Sequence, residues 1–312
     1  MRRAAALVVT MVAAACAAPA KLRSSDLEEL FRRAGDGRPA ISALAFSDDA
    51  AWIAIGDYRG GLERVDLASA TAAASPLALP AAAPGGRGEL LAIGRRGGEQ
   101  VAVRRSGEPF GWGRLTGAIA LEDGGFVGWS ALSRRLAASD GGDGDSRMVE
   151  VEAIAAAAAG ASLFLLAGRP ADFARLECRD RRTLQTRFAV DLGHAALGLA
   201  AIEEAGLLVV TDEAGLELRT LQSGEFVARV DAPASIPHSM GDGRRVLLVQ
   251  GDAVAMLHVD GEPRIEPPIV VHRGGVTAVA VSPDGTRLAT GGARGDLVVF
   301  RLLPAVPPGI AP

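Results

Sequence analysis

The sequence predicts an all-β chain folded as a closed ring of small antiparallel sheets. Residues 42–67 (SALAFSDDAAWIAIGDYRGGLERVDL) and 277–302 (TAVAVSPDGTRLATGGARGDLVVFRL), near opposite ends, align without a gap. From residue 41 onward, short apolar runs alternate with clusters of Gly, Asp, Ser and Pro, as in strands joined by tight turns. A module found at both ends of a domain indicates an array, and closing an array of short strands into a ring protects its sheet edges.

The spacing of the repeats predicts how many sheets the ring contains. Val276 lies 235 positions after the aligned Ile41, and six steps across that interval give about 39 residues per unit. A four-stranded propeller blade takes roughly 40–45 residues. We therefore predict an all-β β-propeller over residues 41–303 with seven blades of four-stranded antiparallel sheets, with six or eight blades as alternatives. Residues 304–312 form a Pro-rich C-terminal tail.

Residues 16–40 precede the first repeat and leave two interpretations open. Asp26–Arg33 (DLEELFRR) fits one or two helical turns, with Ser25 as N-cap and Glu28 completing a capping box. The same segment also fits an outer strand that closes the ring. Prolines from Pro304 onward end regular strand structure, which leaves the last unit one strand short.

The N-terminus has the pattern of an export signal over residues 1–15. A basic start, Met1–Arg3, precedes an uncharged run that is too short to span a bilayer comfortably. The following Ala13–Cys16 (AAAC) resembles the lipobox of bacterial lipoproteins, although that family usually has Leu where Ala13 stands. The resemblance implies a lipid anchor at Cys16 and a membrane-bound protein facing the periplasm or cell exterior. The alternative is ordinary secretion of a soluble periplasmic or extracellular protein.

Composition and motifs argue against several classes of function. A formal net charge of −4 gives no basic excess for nucleic acid. No cofactor or metal site is predicted, because the histidines lack metal-ligand spacing and no dinucleotide or nucleophile-elbow motif occurs. The acidic loop at 140–145 lacks the spacing of a calcium loop, and we interpret it as a solvated hairpin tip. Cys178 is predicted to be a structural strand residue, since no histidine lies nearby in sequence.

The last unit resembles a repeat of the WD-repeat (Trp-Asp repeat) propeller family. Its Ser282–Gly285 (SPDG) turn, the small residues at 289–292 and the aromatic Phe300 occupy the family's characteristic positions. In that family a histidine in the loop entering the blade is oriented by an Asp in a later turn. Here the histidine is His272, but the Asp position holds Arg294. This departure concerns the family's polar arrangement, whereas the turn and strand positions that indicate the fold are present.

The resemblance also implies a partner-binding rim. In this family, the loops entering the blades and the turns between the second and third strands lie on one side of the ring. Arginine and tyrosine are enriched at interface hot spots. The candidate rim residues are Tyr58, Arg59, His272, Arg273 and Arg294. The alternative is that the arginines are solvated turn residues and that His272 is structural. Trp52, Trp112 and Trp129 are predicted to pack within blades.

These observations lead to one expected function and two alternatives. The expectation is a non-catalytic scaffold of the bacterial cell envelope, anchored as a lipoprotein, that binds a protein partner. One alternative is a propeller hydrolase or lyase with an axial site, which a cluster of Asp, Glu or His facing the central channel would favour. The other is a component of an outer-membrane assembly complex.

Overall fold

The computed structural model describes most of the ring. The described residues are 21–67, 75–76, 89–96, 99–104, 112–121, 124–139, 146–168 and 173–304. The predicted signal peptide (1–15), the lipidation site Cys16, the acidic loop (140–145) and residues 305–312 of the tail lie outside this set. Within it, no helix has the length and apolar character needed to cross a membrane.

The described chain is built from strands that pair antiparallel with their neighbours. The first, β1, spans Leu27–Arg33. Blade 1 contains β2 (Ile41–Phe46), β3 (Trp52–Asp57), β4 (Leu62–Asp66) and β5 (Ser75–Pro76). A two-stranded sheet follows, made of β6 (Leu90–Arg96) and β7 (Glu99–Arg104). Blade 2 contains β8 (Gly117–Ala120), β9 (Phe126–Ser130), β10 (Arg135–Ser139) and β11 (Arg147–Glu150).

The second half of the ring continues the same order. Blade 3 contains β12 (Ala153–Ala159), β13 (Ser162–Ala167), β14 (Arg175–Asp180) and β15 (Thr186–Asp191). Blade 4 contains β16 (Gly198–Ile202), β17 (Leu207–Thr211), β18 (Gly215–Thr220) and β19 (Phe226–Asp231). Blade 5 contains β20 (Ile236–Ser239), β21 (Arg245–Gln250), β22 (Ala253–His258), β23 (Arg264–Ile265) and β24 (Ile269–Val270). The closing blade joins β1 to β25 (Val276–Val281), β26 (Arg287–Gly292) and β27 (Leu297–Leu302).

The prediction of an all-β propeller is confirmed, but the prediction of seven four-stranded blades is wrong. Among the described residues, six sheets have at least four strands, and the seventh position holds only the β6–β7 hairpin. The predicted number of blades assumed that every unit has about 39 residues and four strands, whereas one unit has two described strands. The hairpin continues the ring because it packs on both sides: Leu90 belongs to the same buried cluster as Ala54 of blade 1, and Val103 to the same cluster as Phe126 of blade 2.

The ring closes through the two ends of the chain. β1 lies antiparallel to β27, with Leu27 opposite Leu302 and Arg33 opposite Leu297. The strand interpretation of this segment is therefore correct, and the helical one is wrong. Pairing with β1 covers the outer edge of β27, which would otherwise expose a row of unpaired backbone groups.

A buried ionic cluster reinforces the closure at the start of β1. The Asp26 carboxylate accepts a hydrogen bond from His258 Nε2 at 3.1 Å and lies 3.4 Å from the Arg245 guanidinium. Arg245 also donates to the carbonyl of Leu303 at 2.7 Å. Burial opposes ionisation of Asp26, but the His258 hydrogen bond and the Arg245 charge outweigh it and lower the pKa of the Asp26 carboxyl. Both chain ends are thereby tied to blade 5.

The apolar core lies between neighbouring sheets. Phe300 and Leu288 of the closing blade pack against Leu247 and Val254 of blade 5. On the opposite face of the closing blade, a second cluster joins it to blade 1: Ile41, Ile53, Val65, Ala289, Leu297 and Val299. Each large side chain that is fully buried contributes about 1.5–3 kcal/mol to folding. The two aligned repeats are thus direct neighbours and share one core.

Candidate functional site

The site begins with a buried hydrogen-bonded triad in the closing blade. His272 lies in the loop between β24 and β25, Thr290 is in β26, and Asp296 comes directly before β27. His272 Nδ1 donates to Asp296, while His272 Nε2 lies 2.8 Å from the Thr290 hydroxyl. Because Nδ1 is the donor, we assign Nε2 as the acceptor of the Thr290 hydrogen. His272 is only 1% exposed, and its two ring nitrogens hold the loop that enters the closing blade.

Asp296 was missed by the sequence analysis. Alignment with the resembled family places Arg294 in the position of the histidine-orienting Asp, but the chain supplies the carboxylate two residues later. The turn makes this substitution feasible, because Gly295 adopts a positive φ of 79° that favours glycine. The position of an acidic residue directly after that glycine was the feature of the sequence that could have identified Asp296 as the partner of His272.

A cavity of about 830 Å³ opens beside this triad. We call it the rim cavity. Its lining comes from residues 32–38, which are the end of β1 and part of the loop to β2, and from residues 270–273, which are the end of β24 and the start of the loop into the closing blade. Leu22, Arg294 and Asp296 complete the lining. The N-terminal and C-terminal segments therefore form opposite walls. Three of the predicted rim residues, His272, Arg273 and Arg294, come together here.

The other two predicted rim residues lie outside this cavity. Tyr58 and Arg59 form the turn between β3 and β4 and are exposed. The Tyr58 backbone N–H donates to the carbonyl of Ala40 at 3.1 Å, which attaches this turn to the loop that leads out of the cavity wall. The Arg59 backbone N–H donates to Asp57 Oδ1 at 2.7 Å. This turn is therefore on the same side of the ring, in blade 1.

Two carboxylates compensate three of the arginines around the rim cavity. Arg32 binds Glu29 at 2.9 Å. Glu63 is shared, since it contacts both the buried Arg33 and the half-exposed Arg38. Arg32 also donates to the carbonyl of Val271 at 3.2 Å, which ties β1 to the opposite wall.

Two further arginines have no such compensation. Arg273 and Arg294 are both exposed, and within the described part of the chain neither side chain has a hydrogen bond or ion pair. An unpaired guanidinium offers five N–H donors in a planar fork that matches a carboxylate or phosphate. The rim cavity thus presents free arginine at its opening.

The central channel has a different chemical character. It contains a cavity of about 1010 Å³ whose wall is mostly small and apolar, including residues 118–121, 154–159 and 197–201. The titratable side chains on this wall, among the described residues, are Arg181, Glu203 and His238. Desolvation lowers the pKa of His238 from 6.5 to about 4, so the ring is uncharged near neutral pH. An adjoining cavity of about 550 Å³ shares His238 with this wall and adds Asp48 as a titratable side chain among the described residues.

Blade 4 contains a second charged network that is internally satisfied. His194 Nε2 lies 3.0 Å from Glu217, and Glu217 also binds Arg219 at 2.7 Å. Arg229 contacts Asp212 at 2.8 Å. Burial opposes ionisation of Asp212, but backbone hydrogen bonds and Arg229 outweigh it and lower the pKa of the Asp212 carboxyl. With its charges already paired, this network is structural.

Asp26, His258 and Glu266 form a convergent group of potential metal-ligating side chains in the described part of the chain. One ligand atom from each lies within 4.8 Å of the others. Asp26, however, already binds His258 and faces the Arg245 guanidinium at 3.4 Å. A cation there would meet the positive charge of Arg245, so the group serves ring closure better than metal binding.

The remaining predicted packing residues behave as structural side chains. Cys178 is buried in β14, and burial raises the pKa of its thiol, which is the opposite of what a reactive thiolate needs. Trp112 and Trp129 are buried within the ring. Trp52 lies partly exposed beneath the Arg64 guanidinium, which sits 4.7 Å from its ring centroid. The uncharged stretch 153–168 forms β12 and β13.

Comparison with known proteins relates these features to a family. Residues 267–301 match the model of the WD domain, G-beta repeat. No curated protein is similar enough in sequence to be matched. Among solved structures, the chain is similar to one in the "Crystal Structure of Mitotic Checkpoint Complex", with a TM-score of 0.69 and 13% identity over 96% of this chain and 100% of that one. At that identity the likeness concerns the fold alone. The chain is thus a β-propeller, and its closing blade carries the sequence of a WD repeat.

Proposed function

We propose that this chain is a non-catalytic, protein-binding scaffold of the bacterial cell envelope. WD-repeat propellers typically bind other proteins, and the structure to which this chain is similar belongs to a protein complex. The observation that carries the proposal is the pair of uncompensated arginines, Arg273 and Arg294, at the opening of the rim cavity. Unpaired arginine beside a concave surface is typical of an interaction site.

The central channel supports a scaffold more than an axial enzyme. Its described lining is mostly small and apolar, and the one histidine on it, His238, has a pKa of about 4. A general acid or base works best with a pKa near the operating pH. The rim therefore has the stronger claim to be the functional surface.

Affinity capture from native membranes tests the partner-binding proposal. The bait proteins are the wild-type chain, the double variant Arg59→Ala/Arg294→Ala and the control Arg182→Ala. Arg182 is also exposed, but it lies in the β14–β15 turn of blade 3. We expect a partner that the wild-type and control chains retain and the rim variant loses, at unchanged Tm. Equal capture by all three proteins would contradict the rim as the partner-binding surface.

Membrane attachment forms the second part of the proposal. The basic start, the uncharged run and the small residues before Cys16 support lipidation at that cysteine. We propose that this segment directs export to the periplasm or the cell exterior, where an outer-membrane assembly complex is one setting for such a scaffold. The identity of the proteins that are captured by the wild-type chain and lost by the rim variant distinguishes the two settings. Outer-membrane assembly proteins among them would indicate membership of that complex, and their absence would indicate a separate scaffold.

Cysteine substitution tests the anchor. Cys16→Ser removes the thioether-forming sulfur, so we expect the protein to move from the membrane fraction to the soluble fraction. Cys178→Ala is the matched control, because it removes the other cysteine of the chain and leaves the signal intact. If the Cys16→Ser protein still fractionates with membranes, the anchor proposal is wrong.

A further inference from the structure

We propose that the rim cavity binds an acidic peptide segment of the partner protein and that this binding stabilises the closed ring. The inference rests on the proposed scaffold function and names the chemistry of the segment that the scaffold recognises. Four features of the cavity lead to it: its charge, its unsatisfied polar atoms, its apolar wall and its construction from both ends of the chain.

The charge of the lining is opposite to that of the whole chain. Five arginines line the cavity, against two acidic side chains, Asp36 and Asp296; the adjoining Glu29 and Glu63 bind three of these arginines and leave a smaller positive excess. The five arginines are Arg32, Arg33, Arg38, Arg273 and Arg294. The complete sequence has a formal net charge of −4, so this local excess of positive charge runs against the average. A concave surface with an excess of one sign of charge concentrates ligands of the other sign.

The arrangement of the charges favours carboxylates as ligands. Of the lining arginines, Arg33 and Arg38 already share one carboxylate, that of Glu63, which is not part of the lining. Arg273 and Arg294 have none among the described residues. Guanidinium groups bind carboxylates through two parallel N–H···O bonds, which adds geometric selectivity to the charge attraction.

Two lining side chains also carry buried polar atoms that lack a hydrogen-bond partner in the described part of the chain. They are Arg33 Nε, a donor, and Asp296 Oδ1, an acceptor. Buried polar groups are normally paired because leaving them unpaired costs free energy. A peptide backbone supplies both a carbonyl acceptor and an N–H donor, whereas a simple inorganic anion at neutral pH supplies mainly acceptors.

An apolar wall gives the cavity room for an aliphatic side chain. Leu22, Val270 and Val271 form this wall, and Val270 is 56% exposed. A volume of about 830 Å³ falls within the range of pockets that enclose small ligands and short peptide segments. An acidic segment with an apolar residue between its carboxylates therefore fits both parts of the lining.

Construction from both chain ends links binding to ring closure. Arg32 and Arg33 belong to β1, while Arg273 and Arg294 lie more than 200 positions later in the chain. Opening the β1–β27 pair would separate the two walls and abolish the cavity. A ligand that binds only the closed ring stabilises it by mass action.

Binding of a defined peptide to the purified full-length Cys16→Ser chain tests the inference. The probe is a short acetylated peptide of alternating Glu and Leu, and its Gln/Leu counterpart is the uncharged control. We expect the Glu peptide alone to bind and to raise the Tm by several degrees at saturation. Raising the salt concentration should weaken binding, because charges near the surface are screened.

Arginine variants assign that binding to the cavity. Arg273→Ala and Arg294→Ala should each weaken peptide binding at least about tenfold, since each removes a charge-assisted contact. Arg182→Ala, in an exposed turn of blade 3 away from the rim, should bind as the wild type does. Binding that survives loss of both cavity arginines would overturn the proposal, as would equal binding of the Gln peptide.

Binding tests with two other anions, inorganic phosphate and an anionic lipid, show whether the cavity prefers the peptide. Tighter binding of inorganic phosphate than of the Glu peptide would overturn the peptide assignment. Lipid headgroups are the second competitor, because Leu22 lies only six positions after Cys16, at most about 20 Å of extended chain. Arginine-dependent binding to phosphatidylglycerol vesicles, without binding of the peptide, would assign the cavity to the membrane instead.

The peptide-binding experiment and the capture experiment can fail independently, so each tests its own proposal. If capture depends on the rim but the Glu peptide does not bind, the scaffold function stands and the acidic-segment inference is wrong. If the peptide binds through the cavity arginines while capture is insensitive to the rim, the cavity is a ligand site and the rim is not the surface that recruits the partner.

Discussion

The first and last repeats contain the same turn, held by the same two side-chain hydrogen bonds. Ser47 Oγ donates to Asp49 Oδ1 at 2.7 Å in blade 1, and Ser282 Oγ donates to Asp284 Oδ1 at 2.5 Å in the closing blade. In both turns the same serine hydroxyl also accepts from the backbone N–H five residues later, at 3.1 Å and 2.8 Å. These turns join the first and second strands of their blades.

At the opposite ends of the strands, on the rim, the two repeats differ. The closing blade holds the buried triad of His272, Thr290 and Asp296. The positions of blade 1 aligned with Thr290 and Asp296 hold Ile55 and Gly61. Blade 1 instead stabilises its turn through Asp57, whose Oδ1 accepts from the backbone N–H groups of Arg59 and Gly61 at 2.7 and 2.9 Å.

This comparison separates the structural part of a repeat from its variable part. The shared turn uses partners within five residues of one another, so each repeat forms it independently. The rim of the closing blade joins segments 24 positions apart in the triad and more than 200 apart across the cavity. Variation at the rim therefore changes a binding surface without disturbing the fold of the blade.

The largest expected effect concerns the aromatic side chain in the third strand of the last repeat. Phe300 is fully buried between the closing blade and blade 5, and the aligned residue of blade 1 is the smaller Val65. We expect Phe300→Ala to lower the free energy of unfolding by about 3–5 kcal/mol. Val65→Ala removes two methyl groups and should cost about 2 kcal/mol. Denaturant unfolding measures both, and equal costs would contradict the comparison.

The second prediction tests the triad. Asp296→Ala leaves the His272 Nδ1–H buried without its acceptor, so we expect a loss of about 2–3 kcal/mol of unfolding free energy. Asp57→Ala in blade 1 removes a partly exposed turn cap and should cost only about 1 kcal/mol. Thermal unfolding of the two variants compares them directly. If Asp57→Ala is the more damaging change, the triad does not stabilise the closing blade as argued.

The third prediction concerns the shared turn. Ser282→Ala and Ser47→Ala each remove a hydroxyl that both donates and accepts within the turn. Each should cost about 1 kcal/mol, and the two values should agree within about 0.5 kcal/mol. Chemical denaturation with the wild-type chain as reference gives both values. A clear difference would show that the turns are not equivalent.

The smallest expected effect is a change in titration. The serine hydrogen bond is the leading cause that lowers the pKa of Asp49 and of Asp284 below the ordinary value of 3.8. A lowered carboxyl pKa stabilises the fold above the unfolded-state pKa, and this stabilisation is lost as pH falls through the folded-state pKa. Each serine-to-alanine variant should raise the pKa of its own aspartate alone, as followed by NMR titration. If the pKa of Asp49 or Asp284 is unchanged in the corresponding variant, the serine hydrogen bond is not the cause of the lowered pKa.

Much of the fold and part of the site could be predicted from local sequence. Period-two apolar runs and turn residues act over a few positions, so the strands, the 282–285 turn and the all-β class were accessible. Equal repeat spacing misled the blade count, because the β6–β7 hairpin fills its place with two described strands. Arg273 and Arg294 were predicted through a family resemblance, and the structure places them at one cavity.

The remaining site residues could not be found in that way. Arg32, Arg33 and Arg38 line the cavity only because β1 pairs with β27. The sequence left this segment open between helix and strand. Its apolar and charged residues satisfy both patterns, and the deciding contacts lie at the other end of the chain. Asp296 was missed because it stands two positions from the place that the family resemblance assigns.

By itself, the sequence determined the repeated module, its turns and the strand-rich character of the chain, since these depend on residues close together along the backbone. Only the tertiary structure decided the closure by β1, the number of full blades, the Asp296 triad and the arginine-lined cavity. The physical reason is distance along the chain: Arg32 reaches the carbonyl of Val271 across 239 positions. Such contacts form when the ring closes, and no local pattern encodes them.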